Sequence, residues 1–281
     1  MPPHIRTFED APKTMAKKRN LPAVQQAPTL EPADLRILES AKKRMENIGW
    51  AMEGLNQLGR SIDKQVARLS EGQQKQLKQI SYNVLQKVVS SNLKSMDPDK
   101  KNPANLNTAY QAMASLSGAI GGAFGFIAFA GDMALTTKLM MRSIMDIARS
   151  EGEDLRELDT QLACLQVFAL GGKSKHDDNL DTGYYALRMS IRSALRGVAN
   201  PLAKAIGQIA GRFSVQVTEK FAAQAVPVIG AFGGAAINTA FITHFQNMAE
   251  AHFSVRRLER KYGMEAVEAA YHKIGDEPLE E

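Results

Sequence analysis

The chain has 281 residues, 44% of them hydrophobic, a formal charge of +5 and one cysteine. Such a chain can bury a sizeable core in one large domain or two small ones. The lone Cys164 excludes an intrachain disulfide and fits a reducing compartment, and no apolar segment of the secretory type stands at the N-terminus.

Helix formers dominate, and no stretch alternates apolar and polar residues long enough for a half-buried strand. The predicted class is all-α: a multi-helix bundle with two glycine-rich helical segments packed at its centre. Charge is uneven, since residues 1–101 carry 18 Lys/Arg against 11 Asp/Glu, while the remainder carries 17 against 19. The basic part suits an anionic membrane face or nucleic acid, or is a solvated surface with no partner.

Residues 1–32 are rich in proline, carry Lys13, Lys17, Lys18 and Arg19, and show no helical period, which predicts a disordered basic tail. From Ala33 the apolar residues Leu38, Ala41, Met45, Ile48, Met52, Leu55, Ile62, Val66 and Leu69 alternate three and four apart, with Gly59 in the missing place. That is a heptad seam. Ser70 and Gln73 form a capping box for a second helix over 72–96, whose buried face is Leu77, Ile80, Val84, Leu85 and Val88. Together these two helices predict an antiparallel hairpin, packed on the rest of the chain or offered to a partner helix.

Residues 102–131 contain no charge. Gly118 and Gly122, and Gly121 and Gly125, are four apart, making a smooth helix face that lets another backbone come close. The segment 109–131 is long enough to span a bilayer, but its glycines and hydroxyl residues dilute the hydropathy. Three readings stay open: a span, a re-entrant or interfacial hairpin, or tight packing in a soluble core. Asp132 ends the run and is predicted to cap a helix over 133–150, with Arg142–Asp146 and Asp146–Arg149 as ion pairs.

A helix over 154–170 follows, burying Cys164 and ending at Gly171-Gly172. The next loop holds His176, Asp177, Asp178 and Asp181, an oxygen-rich candidate metal site that lacks the spacing of a calcium loop; a solvated polar loop is the plainer reading. Asp181 or Thr182 is predicted to cap a helix in which Arg188, Arg192 and Arg196 stack four apart. With Arg256 and Arg257 these are candidate contacts for anionic headgroups, or a face paired with the acidic loop.

Pro201 opens a helix that Pro227 breaks. Residues 221–243 again hold no charge and include Gly230, Gly233 and Gly234. After Asn238 comes a long amphipathic helix through Phe241, Phe245, Met248, Ala249, His252 and Phe253. It closes in a basic segment, where the helix dipole favours cations, and stops at Gly263. The two uncharged runs share a plan of small residues, amphipathic helix, charged close and glycine, which reads as a degenerate internal repeat. Residues 33–275 form one predicted helical domain, and 276–281 an acidic tail.

Three stretches resemble the EcsC protein family: Gly121–Gly125 through Asp132 to Met141–Gly152, then Asp181–Tyr185, then Pro227–Gly234, Asn238 and His252–Gly263. The resemblance covers roughly residues 35–275 and implies a bacterial protein with a link to membrane and transport functions. It supplies no catalytic residues.

No nucleophile elbow, P-loop, HExxH or paired-cysteine motif is present, and no motif assigns a cofactor. The best catalytic constellation is Asp132, Arg142, Asp146 and His252, with Arg256, which would suit a metal-dependent hydrolase. His244 and His252, eight apart on an apolar face, are more simply core histidines. The chain therefore leans away from an enzyme. The favoured reading is a helical accessory protein at the inner face of the cytoplasmic membrane, with the membrane surface or a membrane-protein complex as partner. Nucleic acid ranks last, because aromatics are 6% and none interleaves the basic stripe.

Overall fold

A computed structural model of the chain describes residues 29–46, 59–95, 107–121, 125–171, 180–224 and 233–274. Among them are ten helices and no strand: α1 (Pro32–Glu46), α2 (Gly59–Ala67), α3 (Glu71–Ser95), α4 (Asn107–Gly121), α5 (Gly125–Ser150), α6 (Leu158–Leu170), α7 (Leu180–Ala194), α8 (Pro201–Gln224), α9 (Gly234–Tyr262) and α10 (Met264–Lys273). The all-α bundle is as predicted.

The bundle is built on α9, whose 29 residues extend about 44 Å. Its predicted apolar face is buried throughout: Phe241, Phe245, Met248, Ala249, His252 and Phe253 are each 3% exposed or less. Helices α1, α4, α5, α6, α8 and α10 pack against it. Cross-links fix the directions. Asn238 meets Asp132, Gln246 meets Ser143, and Arg256 meets Glu153, so α5 runs parallel to α9. Asn238 also meets Ala114, and Glu250 meets Asn107, so α4 runs antiparallel to both.

Local chemistry explains many boundaries. The Ser70–Gln73 capping box forms in both directions: the backbone N–H of Ser70 donates to Gln73 Oε1 at 2.9 Å, and that of Gln73 to Ser70 Oγ at 3.3 Å. Asn200 caps α8 by accepting from the Ala203 N–H at 3.1 Å, with Pro201 at the first helical position. Gly152 and Gly263 follow α5 and α9 at φ +83° and +88°, a region that disfavours side chains. The shared plan of the two uncharged runs thus includes their stops.

Other expectations need correction. The first two predicted helices do not form a hairpin: α1 lies on α9 and α10, while α2 and α3 lie on α8. Polar groups on α1 set this choice, because Lys42 donates to the Tyr271 and Ile274 carbonyls and Asp34 takes the Tyr262 hydroxyl. The heptad positions 48, 52 and 55 lie outside the described residues. Helix α5 begins at Gly125, so Asp132 is interior to it and caps nothing. Helix α6 begins at Leu158, four residues late, because Asp154 folds back on Arg156 and Glu153 turns inward to Arg256. Helix α10 has no counterpart among the predicted helices.

Gly171 closes α6 in ordinary right-handed geometry, so conformation is not why it is glycine. A Cβ there would stand 2.5 Å from a ring carbon of Phe245. That ring is wedged among Phe168, Phe213 and Phe241, with centroids 5.3–5.9 Å away, and cannot yield.

Candidate functional site

The two ends of α9 carry different chemistry. At its N-terminal end, four helices meet on one carboxylate. Asp132 of α5 accepts from Lys220 Nζ of α8 at 2.7 Å and from Asn238 Nδ2 of α9 at 2.7 Å. The same Asn238 amide donates to the Ala114 carbonyl of α4 at 2.9 Å, and Thr136 adds a hydroxyl one turn along α5. The ion-pair side chains are 0% and 1% exposed. Burial pushes the Lys220 ammonium below its usual range, opposed by the charge and hydrogen bond of Asp132. In so dry a place each charge exists because the other does.

Along the first part of α5 the outer face carries no charge until Lys138. Ile127, Gly131, Ala134 and Leu135 are all exposed, at helical spacing, and Ile127 is 91% exposed. Among the residues of neighbouring α4 whose burial is described, Thr108, Ala109, Ala112 and Met113 are exposed, again uncharged. Inward, Phe126 and Phe129 pack on Phe221 with centroids 4.5 and 5.0 Å away.

The C-terminal end of α9 is a charge network. Arg188 of α7 grips Glu259 through two bonds of 2.5 and 2.7 Å. Arg256 holds Glu153 through Nε and Nη2 at 2.8 and 2.9 Å and reaches Asp159 at 2.9 Å, and Arg260 also pairs with Glu153. Burial raises the cost of charging Glu153, but Arg256, Thr160 and Arg260 outweigh it and hold the carboxyl below the usual range. Behind the network, His252 Nδ1 lies 3.0 Å from the Tyr184 hydroxyl, which accepts from Arg188. Burial first, then the Arg188 and Arg256 charges, depress the His252 pKa strongly and keep the ring neutral. Its Nε2 has no hydrogen-bond partner among the described residues.

Beside this network is a cleft of about 390 Å³ between α6, α7, the start of α8 and the α9–α10 corner. Leu158, Leu162, Met189, Leu195, Pro201 and Met264 give it apolar walls, and Arg188, Arg192, Arg196 and Arg256 line it against one acid, Asp159.

The model of the EcsC protein family matches residues 33–258. The chain belongs to the EcsC protein family. No curated protein and no solved structure matches it. The family match takes in α9 as far as Leu258 and stops short of Glu259, Arg260 and α10.

In this EcsC-family chain the proposed catalytic set is not assembled. Asp132 is bonded to Asn238, while His252 lies fourteen residues further along α9, about 21 Å away. Asp146 accepts from the Tyr110 hydroxyl at 2.5 Å and faces Arg149 at 3.8 Å, and Arg142 bonds the same Tyr110. Burial and Asp146 push the Tyr110 pKa up to about 12. His244 bonds the Gly171 carbonyl at 3.0 Å, so both histidines are core residues. Cys164 is buried, which pushes its thiol up and makes it inert.

The candidate metal residues His176, Asp177 and Asp178 lie outside the described residues, and Asp181 falls in the first turn of α7. Among the described residues no three His, Cys, Asp or Glu side chains are grouped to hold a metal. Of the headgroup candidates, Arg188 and Arg256 are committed to internal ion pairs and Arg257 pairs with Glu151 at 2.9 Å. Arg192 is 56% exposed and faces Asp159 at 3.5 Å; Arg196 is exposed and makes no ion pair among the described residues. Of the glycines, Gly118 and Gly121 lie in α4, Gly125 opens α5, and Gly233 and Gly234 open α9, whereas Gly122 and Gly230 lie outside the described residues.

Sequence reasoning missed Lys220. A signal was there: Asp132 closes the first uncharged run and Lys220 precedes the second. Opposite charges at the margins of two runs that pack together have each other as the nearest partner.

Proposed function

We propose that this chain is a peripheral membrane protein that rests the α4–α5 hairpin on a lipid surface and serves there as an accessory to a transporter or other membrane complex. One observation carries the reading: the outer face of α5 from Ile127 to Leu135 is exposed, apolar and uncharged, on a hairpin whose neighbour α4 is uncharged as well. Contiguous apolar surface of this kind on a folded chain marks contact with protein or membrane. The contact is interfacial, since no described helix is long and apolar enough to cross a membrane. The inner face of the cytoplasmic membrane suits the basic N-terminal part, which anionic lipid attracts. A hydrolytic reading through Asp132 and His252 has little support, because the two lie far apart.

Flotation with anionic and neutral vesicles, at low and high salt, tests this. The expected result is binding that persists in high salt and is lost in Ile127→Asp, a variant whose exposed position leaves the fold intact. Binding that disappears with salt and ignores Ile127→Asp would move the contact to the basic surface and remove the hairpin reading.

A further inference from the structure

The cleft at the far end of α9 has no part in that membrane contact. The α5 face lies beside Asn238, whereas the cleft lies beside Arg256, eighteen residues and about 27 Å further along the helix. Its composition is two-sided. Leu158 and Met189, two of the six large hydrophobic residues exposed among the described residues, both line it, at 43% and 44% exposure. The arginines come from α7, the turn after it and α9, and Arg192 reaches the Met264 sulfur at 3.9 Å. Arg188 and Arg256 are held in place by Glu259 and Glu153, which fixes the cationic wall. Arg192 and Arg196, four positions apart, are both exposed at the rim, Arg192 against Asp159 and Arg196 with no ion pair among the described residues.

Asp159 shows how an anion sits there. Its carboxylate lies 2.9 Å from Arg256 Nη2 and 3.5 Å from Arg192 Nη2, yet its side chain is 58% exposed. Burial works against its charge, but the Arg256 bond and the fields of Arg256, Arg192 and Arg188 keep it ionised below the usual range. Asp159 is thus the one acid in the cleft lining against four guanidinium groups, two of which are already paired with Glu259 and Glu153. A second anion has donors to bind, and guanidinium forks suit carboxylate and phosphate oxygens.

We infer that this cleft binds a single-chain amphiphile with an anionic head, its carboxylate or phosphate on Arg192 and Arg196 and its chain along Leu158, Leu162, Met189 and Met264. At about 390 Å³ the cleft is at the small end of ligand pockets, roughly 300–1,000 Å³, which favours one chain over two. The head competes with Asp159 for Arg192, so removing that carboxylate strengthens binding.

Calorimetric titration below the critical micelle concentration tests it, with dodecyl phosphate, dodecanol and inorganic phosphate as probes. The expected result is one dodecyl phosphate per chain, with dodecanol and inorganic phosphate each at least tenfold weaker. Affinity falls at least tenfold in Arg192→Gln/Arg196→Gln and in Met189→Glu, and rises in Asp159→Asn. All these positions are exposed, and circular dichroism checks that each variant folds. Ile127→Asp binds like the parent chain, which separates this site from the membrane contact. Equal affinity in the parent and the double arginine variant would overturn the inference, as would inorganic phosphate binding as tightly as dodecyl phosphate. Absence of one-to-one binding would overturn it too.

Discussion

The two ends of α9 solve the same problem, charge inside a helical bundle, in opposite ways. The N-terminal end buries one cation and one anion against each other, their side chains 0% and 1% exposed. The C-terminal end spreads Arg188, Arg192, Arg256 and Arg260 over Glu153, Asp159 and Glu259, nearer to solvent, with two arginines each for Glu153 and Asp159. The first arrangement is brittle and insensitive to salt; the second is redundant and screened. The difference follows the surroundings. One uncharged run precedes Asp132 and another follows Lys220, whereas the close of α9 is crowded with charge.

Removing one partner of the dry pair should have the largest effect. Lys220→Met strands the Asp132 carboxylate and should cost about 3–5 kcal/mol in denaturant unfolding, while Asp132→Leu/Lys220→Met should return most of that loss. Equal losses in the single and double variants would mean that shape, not charge, holds the knot.

Gly171→Ala comes next, at about 1–3 kcal/mol, because the new methyl meets the Phe245 ring. The added variant Phe245→Leu should show a favourable coupling with it in a double-mutant cycle.

Arg256→Gln should cost less, about 1–2 kcal/mol, since Arg260 and Thr160 still hold Glu153. Raising salt should shrink this loss and leave that of Lys220→Met unchanged.

The smallest effect is on pH dependence. The native pKa values of Glu153 and Asp159 lie below their ordinary ones, so these groups add stability that is full above about pH 4.5 and is lost as pH falls through the native values. His252 acts in the same direction from higher pH. Its native pKa is well below 6.5, so below that value the unfolded chain takes up a proton that the native chain refuses. Stability should therefore start to decline below about pH 6.5 and steepen below 4.5, and His252→Phe should flatten the first part.

Much of this architecture is legible in the sequence, because periodicity and caps are local. The apolar face of α9, the capping box at Ser70, Pro201 at the start of α8 and Gly263 at the close of α9 all follow from neighbours a few residues away. What the sequence hides is pairing at long range. Lys220 is 88 positions from Asp132, and Arg188 is 71 from Glu259, so the stripe of three arginines does not reveal that its first member is internal structure. Gly171 looked like a conformational stop, because nothing nearby in sequence announces the Phe245 ring. Asp132 looked like a cap because its helix starts among glycines, poor helix formers that mask the true beginning.

The measurement that bears most directly on the account places a reporter at each end. The chain has one tryptophan, Trp50, so Ile127→Trp and Arg196→Trp are each made in a Trp50→Phe background and mixed with vesicles of brominated anionic lipid. The account predicts strong quenching of the tryptophan at position 127, surviving high salt, and none at position 196. Vesicle-bound protein whose tryptophan at 127 stays in water, or is quenched no more than that at 196, would contradict it.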